Sequence, residues 1–113
     1  MRRVTLLLAV MGVMVSLFAA AAYAATIEGT RQGEQLVESD RNDTIYGRGG
    51  ADLIYAGEWG SDTDRAFGNA GNDRIDAFDR DGQDTVNGGN GTDICIGDPG
   101  DELINCETIE IVR

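Results

Sequence analysis

The residues best suited to chemistry in this chain are aspartates that follow glycine-rich turns at a fixed offset. Three nonapeptides have this form, at residues 47–55, 68–76 and 88–96, and their aspartates are Asp52, Asp73 and Asp93. A fourth copy, poorer in glycine, contains Asp43. Aspartate also forms Asx-turns with its own backbone, which is the simpler explanation for a single copy. Carboxylate and backbone carbonyl oxygens are preferred ligands of hard divalent cations, so the repeated pattern indicates a cation site.

The carboxylates belong to a longer internal repeat. Acidic residues recur at intervals of nine to twelve residues, at Glu34, Asp43, Asp52, Asp64, Asp73, Asp84, Asp93 and Glu102. A second series, mostly apolar, lies two positions later, at Leu36, Ile45, Ile54, Ala66, Ile75, Val86, Cys95 and Ile104, and Ile27 extends it upstream. Paired series of this length predict an architecture of stacked repeats.

Short strands describe these repeats better than helices do. Glycine recurs too often for a helix, and no stretch carries an apolar stripe of helical period. We therefore expect three-residue strands whose central side chain faces inward while its neighbours face outward. Such strands bury little alone, so successive coils must stack. Two repeats complete one coil and place one strand in each of two parallel sheets.

This stacking places the carboxylates in two columns. Residues about eighteen apart lie on the same edge, so one column contains Glu34, Asp52, Asp73 and Asp93. The other column contains Asp43, Asp64, Asp84 and Glu102. Neighbours in a column lie roughly 5 Å apart, the spacing of paired strands, and repel by about 3 kcal/mol at an effective dielectric near 20. A divalent cation between successive turns is the simplest way to offset this repulsion.

The repeat resembles the haemolysin-type, or repeats-in-toxin, calcium-binding nonapeptide Gly-Gly-x-Gly-x-Asp-x-apolar-x. The resemblance implies an all-β fold, a right-handed parallel β-roll, with calcium between successive turns of one edge. The side-chain ligands it implies are Asp52, Asp73 and Asp93. The turn residues it implies as carbonyl ligands are Gly47, Gly49, Gly50, Gly68, Ala70, Gly71, Gly88, Asn90 and Gly91. Secondary candidate ligands are Glu34, Asp43, Asp64 and Asp84.

The three well-formed turns fall on one edge of the expected roll. Regular calcium sites are therefore expected between Asp52 and Asp73 and between Asp73 and Asp93. The other edge is irregular, because its turns at 56–64 and 77–84 carry three and two extra residues. Additional aspartates there either hold a cation in another way or are solvated, and both alternatives stay open. These aspartates are Asp62, Asp79 and Asp81.

The N-terminus has the features of a secretory signal peptide. Arg2 and Arg3 precede an apolar run and an Ala-x-Ala motif that ends at Ala24, which predicts a signal peptide at 1–24 and one domain at 25–113. The alternative is a membrane anchor, since the apolar run is just long enough to span. Cleavage predicts an extracellular protein that does not insert into the membrane. Export by the general or the twin-arginine route stays open.

Two cysteines and an alternating tail close the sequence. In an exported chain, Cys95 and Cys106 predict a disulfide, with a redox-active free pair as the alternative. The tail at 108–112 alternates in polarity, so we expect it to pair with the last coil as a cap. Upstream, Tyr46 and Phe67 follow inward positions in one sheet, which predicts outward rings packed side by side. A sugar-binding or partner-binding patch is the alternative role for these aromatic residues.

Composition excludes several functions and favours a binding protein. The chain has no histidine, which excludes a Ser-His-Asp triad and makes zinc improbable. After signal cleavage, seven arginines face twenty carboxylates, a net charge of −13, which disfavours nucleic acid and anionic lipid as partners. We expect a non-enzymatic protein that folds when calcium binds. The alternatives are an adhesion, matrix or cell-wall scaffold with an unknown partner and, less favoured, a glycoside hydrolase that uses two carboxylates.

Overall fold

The computed structural model describes residues 26–39, 42–57, 62–80 and 82–113, which form ten short strands. The strands are β1 (Thr26–Glu28), β2 (Gln35–Val37), β3 (Thr44–Tyr46), β4 (Leu53–Tyr55), β5 (Arg65–Phe67), β6 (Arg74–Asp76), β7 (Thr85–Asn87), β8 (Ile94–Gly97), β9 (Glu102–Ile104) and β10 (Thr108–Ile111). No helix that could span a membrane occurs among the described residues. The predicted signal peptide at 1–24 lies outside them.

All strand pairs are parallel and belong to two five-stranded sheets. Odd-numbered strands form one sheet in the order β1-β3-β5-β7-β9, and even-numbered strands form the other in the order β10-β8-β6-β4-β2. Consecutive strands therefore alternate between the sheets, and each pair of strands completes one coil. The predicted β-solenoid is confirmed.

The core lies between the two sheets and is built mainly from one inward side chain of each strand from β1 to β8, joined by Ala56 and Ala77, which directly follow β4 and β6. These inward strand side chains are at most 5% exposed. They are Ile27, Leu36, Ile45, Ile54, Ala66, Ile75, Val86 and Cys95. Their neighbours within the strands point outward, as the alternation of strand side chains requires. The predicted inward series is thus confirmed from Ile27 to Cys95.

The last coil departs from the predicted register by one residue. Leu103, rather than Ile104, pairs with Val86 and packs against the core, while Ile104 is 40% exposed. The assignment of Ile104 to the inward series was therefore wrong. The connection between β8 and β9 is only four residues long, at 98–101, which is shorter than the other turns on its edge. The strand consequently begins one residue earlier than the nine-residue period predicts.

The C-terminal tail covers β8, as predicted. In this pairing Thr108 lies opposite Ile94, and β10 forms the end of the even-numbered sheet. A disulfide joins Cys95 in the core to Cys106, just before β10. The loop that it closes is short, and the chain-entropy estimate of its contribution is roughly 3 kcal/mol. The bond therefore holds the cap against the last full coil.

The outer face of the odd-numbered sheet carries the predicted aromatic pair. Tyr46 and Phe67 are half-buried, and their rings stack with centroids 5.2 Å apart. Because these residues occupy successive coils, the stacked rings add side-chain contact to the parallel pairing of β3 and β5.

Candidate metal centre

The turns of the solenoid form two edges of different composition. The turns at 29–34, 47–52, 68–73 and 88–93 lead from the odd-numbered to the even-numbered sheet, and we refer to them as the glycine edge. The turns at 38–43, 56–64, 77–84 and 98–101 lead back and form the second edge. The glycine edge contains all three well-formed nonapeptide turns, as predicted.

Carboxylates on the glycine edge are joined to one another through the backbone. In each case the carboxylate of one coil accepts the backbone N–H of the acidic residue in the coil before it. Glu34 donates to Asp52 Oδ1 over 3.0 Å, and Asp52 donates to Asp73 Oδ1 over 2.9 Å. Asp73 donates to Asp93 Oδ1 over 2.8 Å. The predicted column of Glu34, Asp52, Asp73 and Asp93 is therefore present.

The second oxygen of three of these carboxylates is buried without a donor. Asp52, Asp73 and Asp93 are at most 3% exposed, and within the described residues their Oδ2 atoms have no hydrogen-bond partner. A buried ionised carboxylate is costly unless hydrogen bonds or opposite charges satisfy it. Arg48, which lies on the same edge, instead forms an ion pair with Glu28. Among the described residues, no cationic side chain is thus seen to neutralise these Oδ2 atoms.

Each of these oxygens lies beside a glycine and a carbonyl of the following turn. A methyl group on Gly68 would lie 2.4 Å from Asp73 Oδ2 and 2.7 Å from the carbonyl oxygen of Gly88. The same arrangement recurs at Gly47, where a methyl group would lie 2.6 Å from Asp52 Oδ2 and 2.9 Å from the Gly68 oxygen. The absent side chain therefore lets a carboxylate oxygen and a carbonyl oxygen approach the turn more closely than any side chain would allow.

The turn backbone holds the other predicted ligand residues in matching columns. The third turn residues Gly49, Ala70 and Asn90 each donate an N–H to the preceding coil, over 2.8–3.0 Å. The fourth residues Gly50, Gly71 and Gly91 have φ values of 83°, 101° and 104°, in the region that favours glycine. A side chain there would also meet the coil below, since a methyl group on Gly71 would lie 2.1 Å from the Gly50 oxygen.

Burial shifts the titration of these carboxyl groups. It raises the pKa of Asp52 from 3.8 to about 7 and that of Asp73 to about 6, and it also raises the pKa of Asp93. The backbone N–H of Glu34 lowers the pKa of Asp52, but burial and the charges of Asp73 and Glu34 outweigh this. In the metal-free fold, protons therefore compete for the oxygens that a cation would bind.

The first carboxylate in each of the two predicted columns accepts hydrogen bonds from a hydroxyl residue four positions earlier. Thr30 donates its N–H to Glu34 Oε1 and its hydroxyl to Glu34 Oε2, both over 2.7 Å. On the second edge, Ser39 donates its N–H and its hydroxyl to Asp43 over 2.5–2.9 Å. The structure thus gives less support for a cation at Glu34 or Asp43 than at the later aspartates.

The second edge has its own series of backbone-to-carboxylate hydrogen bonds, which we call its ladder. The predicted column of carboxylates was wrong at its last member, Glu102. Asp43 donates its backbone N–H to Asp64 Oδ1 over 2.7 Å, and Asp64 donates to Asp84 Oδ1 over 2.8 Å. Asp84 then donates to Asp101 Oδ1 over 3.0 Å, so Asp101 occupies the place predicted for Glu102. Glu102 is an exposed strand residue because β9 begins one residue early.

Sequence reasoning also missed the residues that end the glycine edge. Glu107 Oε1 accepts the Asp93 N–H over 2.7 Å and so continues the ladder into the cap. The carbonyl oxygen of Asn105 lies 2.5 Å from where a methyl group on Gly88 would be, beside Asp93. A signal for Glu107 existed, because it immediately precedes a strand, as Asp52, Asp73 and Asp93 do.

The donor set of the glycine edge fits a hard cation. It consists of carboxylate and carbonyl oxygens, and three of its carboxylates have a buried oxygen without a hydrogen-bond partner among the described residues. Each of these oxygens lies close beside a glycine. Calcium accepts six to eight such oxygens in flexible geometry. The fit therefore rests on the chemistry of the donors and on buried oxygens that lack a partner.

Comparison with known proteins agrees with this chemistry. The family model for the RTX calcium-binding nonapeptide repeat (4 copies) matches residues 39–58, 60–79 and 78–101, which is more than half of the chain. Neither a curated protein nor a solved structure gives a significant match. The nonapeptide repeats of this family bind calcium ions. The chain belongs to the RTX calcium-binding nonapeptide repeat family.

Proposed function

We propose that this is a secreted calcium-binding protein whose folding is coupled to calcium held between successive turns of the glycine edge. The observation that carries the proposal is the buried Oδ2 atom of Asp52, Asp73 and Asp93, which has no hydrogen-bond partner among the described residues. Bound calcium supplies the positive charge that these oxygens need. Asp52, Asp73 and Asp93 are its proposed side-chain ligands, and the turn carbonyls beside them are the proposed backbone ligands.

Coupling to folding follows from the size of the core and the charge around it. One small or medium apolar side chain per strand separates two sheets, while buried carboxylates stack on both edges. Chains with so little core commonly need a metal or disulfides to fold. Metal binding by residues that are far apart in the unfolded chain adds its free energy to folding. Without calcium, the turns of the glycine edge should repel, and the chain should expand.

Secretion is part of the proposal because sites of this kind need a high calcium concentration to be occupied. Members of this family are typically secreted, and the residues before Ala25 have the charged and apolar pattern of a signal peptide. Extracellular calcium modules commonly have dissociation constants of about 0.1–1 mM. A roll tuned to this range would stay unfolded before export and fold outside the cell.

Far-ultraviolet circular dichroism during a calcium titration tests the coupling. The purified protein in excess chelator should give the spectrum of an unfolded chain, and calcium should convert it to a β-sheet spectrum. Magnesium is the control, because it favours small octahedral sites that retain several waters, so it should cause little change. A complete β-sheet spectrum in excess chelator would refute the coupling.

A further inference from the structure

A cluster of three carboxylates lies on the second edge, apart from the glycine-lined turns. Its first member is Glu38, the residue directly after β2. The strand register places Glu38 in a column with Ala56, Ala77 and Gly97, which are small. Glu38 is nevertheless only 3% exposed. The first coil thus carries a buried carboxylate where the following coils carry a methyl group or no side chain.

The other two members, Asp62 and Asp64, belong to the next coil. Glu38, Asp62 and Asp64 each offer one carboxylate oxygen, and these three oxygens lie within 4.8 Å of one another. Calcium–oxygen distances are about 2.3–2.6 Å, so ligands on opposite sides of one ion are about 5 Å apart. The three oxygens are therefore close enough to share one ion.

Asp64 provides an independent sign that this cluster is built to bind something. Its side chain is completely buried, and Oδ1 accepts the N–H of Asp43. Its Oδ2 atom is also buried and has no hydrogen-bond donor among the described residues. Hydrogen bonds within the ladder thus account for one oxygen of this buried carboxylate, and the side chain of Asp64 also interacts directly with that of Glu38.

We propose that Glu38, Asp62 and Asp64 bind one divalent cation, preferentially calcium, at a site made of side chains rather than turn carbonyls. Three carboxylates and no nitrogen or sulfur ligand favour calcium over zinc. Magnesium usually takes only one or two carboxylates and keeps several waters, so it fits less well. Glu38 and Asp64 come from successive coils, so the ion joins the first two coils on the edge where the turns are irregular.

Calcium counting on neutralised variants of the full protein tests this site. The variants Glu38→Gln and Asp62→Asn each remove one carboxylate of the cluster without altering the ladder hydrogen bonds. The control Glu102→Gln removes the same charge from an exposed position. Native mass spectrometry and calorimetry at matched calcium concentrations should show one ion fewer in each cluster variant, or one class of site weakened roughly tenfold or more. The control should match the wild type.

The outcomes separate this inference from the proposal for the glycine edge. If both cluster variants bind the same number of ions with unchanged affinity, the cluster site is refuted while the glycine-edge sites stand. If the wild type binds one ion and Glu38→Gln abolishes it, the cluster site stands and the glycine-edge sites fail. Should Glu38→Gln fail to fold in saturating calcium, Asp62→Asn decides, because Asp62 lies outside the ladder and is only half-buried.

Discussion

At the scale of single residues, Asp73 on the glycine edge and Asp43 on the second edge differ in how their carboxylates are hydrogen-bonded. Asp73 accepts one backbone N–H through Oδ1 and leaves Oδ2 buried without a partner in the described part of the chain. Asp43 instead binds the N–H and hydroxyl of Ser39 with its carboxylate. Both side chains are 2% exposed, so their difference lies in hydrogen bonding rather than burial.

Neutralising these two aspartates should therefore have unequal effects. Asp73→Asn removes the charge that calcium needs, and the calcium midpoint of folding should rise roughly tenfold or more. Asp43→Asn keeps a polar group beside Ser39 and should shift the midpoint far less. Calcium titrations of the two variants, followed by circular dichroism, give both midpoints. Equal shifts would mean that the glycine edge has no special role.

At the scale of the elements, each turn of the glycine edge depends on a missing side chain. The φ angle of Gly68 is not in the left-handed region, so its backbone accepts alanine without strain. What excludes a methyl group is its approach to Asp73 Oδ2 and the Gly88 oxygen. On the second edge, Ala56 and Ala77 occupy the first turn position and are completely buried.

Gly68→Ala should thus reduce calcium binding more than it reduces the β-sheet content of the chain. The added methyl group would displace Asp73 Oδ2 or the Gly88 oxygen, so we expect one ion fewer per chain by calorimetry. The reciprocal variant Ala56→Gly should cost about 1 kcal/mol of stability and leave the ion count unchanged. An unchanged ion count in Gly68→Ala would show that Asp73 Oδ2 and the Gly88 oxygen do not bind calcium.

The elements also show where sequence reasoning succeeds and where it stops. The regular coils were predictable because an apolar residue follows each carboxylate by two positions. That residue marks the centre of a strand and the side of the strand that faces the core, as at Ile54 and Ile75. The last coil was not, because a four-residue turn moved Asp101 and Leu103 into the places predicted for Glu102 and Ile104. A nine-residue period carries no information about a shortened turn.

The candidate site was predictable to a similar extent. The column of Asp52, Asp73 and Asp93 follows from the repeat length alone. The approach of Glu38 to Asp62 and Asp64 does not, because the sequence between β4 and Asp64 is three residues longer than the repeat and the period does not say where Asp62 then lies. Contacts between irregular turns depend on three-dimensional packing that a periodic pattern does not encode.

At the scale of the whole molecule, stacked carboxylates make stability depend on pH as well as on calcium. The pKa values of Asp52 and Asp73 in the metal-free fold are about 7 and about 6, above the value of 3.8 for an unperturbed aspartate. The folded chain therefore binds more protons than the unfolded chain between about pH 4 and pH 7. Linkage then requires stability to fall as pH rises through this window.

Without calcium, the protein should consequently be more ordered at pH 5 than at pH 8. Circular dichroism in chelator across this range should show partial β-sheet signal at the acidic end and the spectrum of an unfolded chain at pH 8. With calcium present, binding should release protons near pH 6, which calorimetry in buffers of different ionisation enthalpy detects. A metal-free β-sheet signal that grows from pH 5 to pH 8 would contradict the raised pKa values of Asp52 and Asp73.

The most direct test of the central claim is the position of calcium in crystals of the calcium-loaded protein, located by anomalous scattering. We predict anomalous peaks between successive turns of the glycine edge, beside the Oδ2 atoms of Asp52 and Asp73. An ordered roll in saturating calcium with no peak beside either oxygen would contradict the claim that calcium holds these turns together.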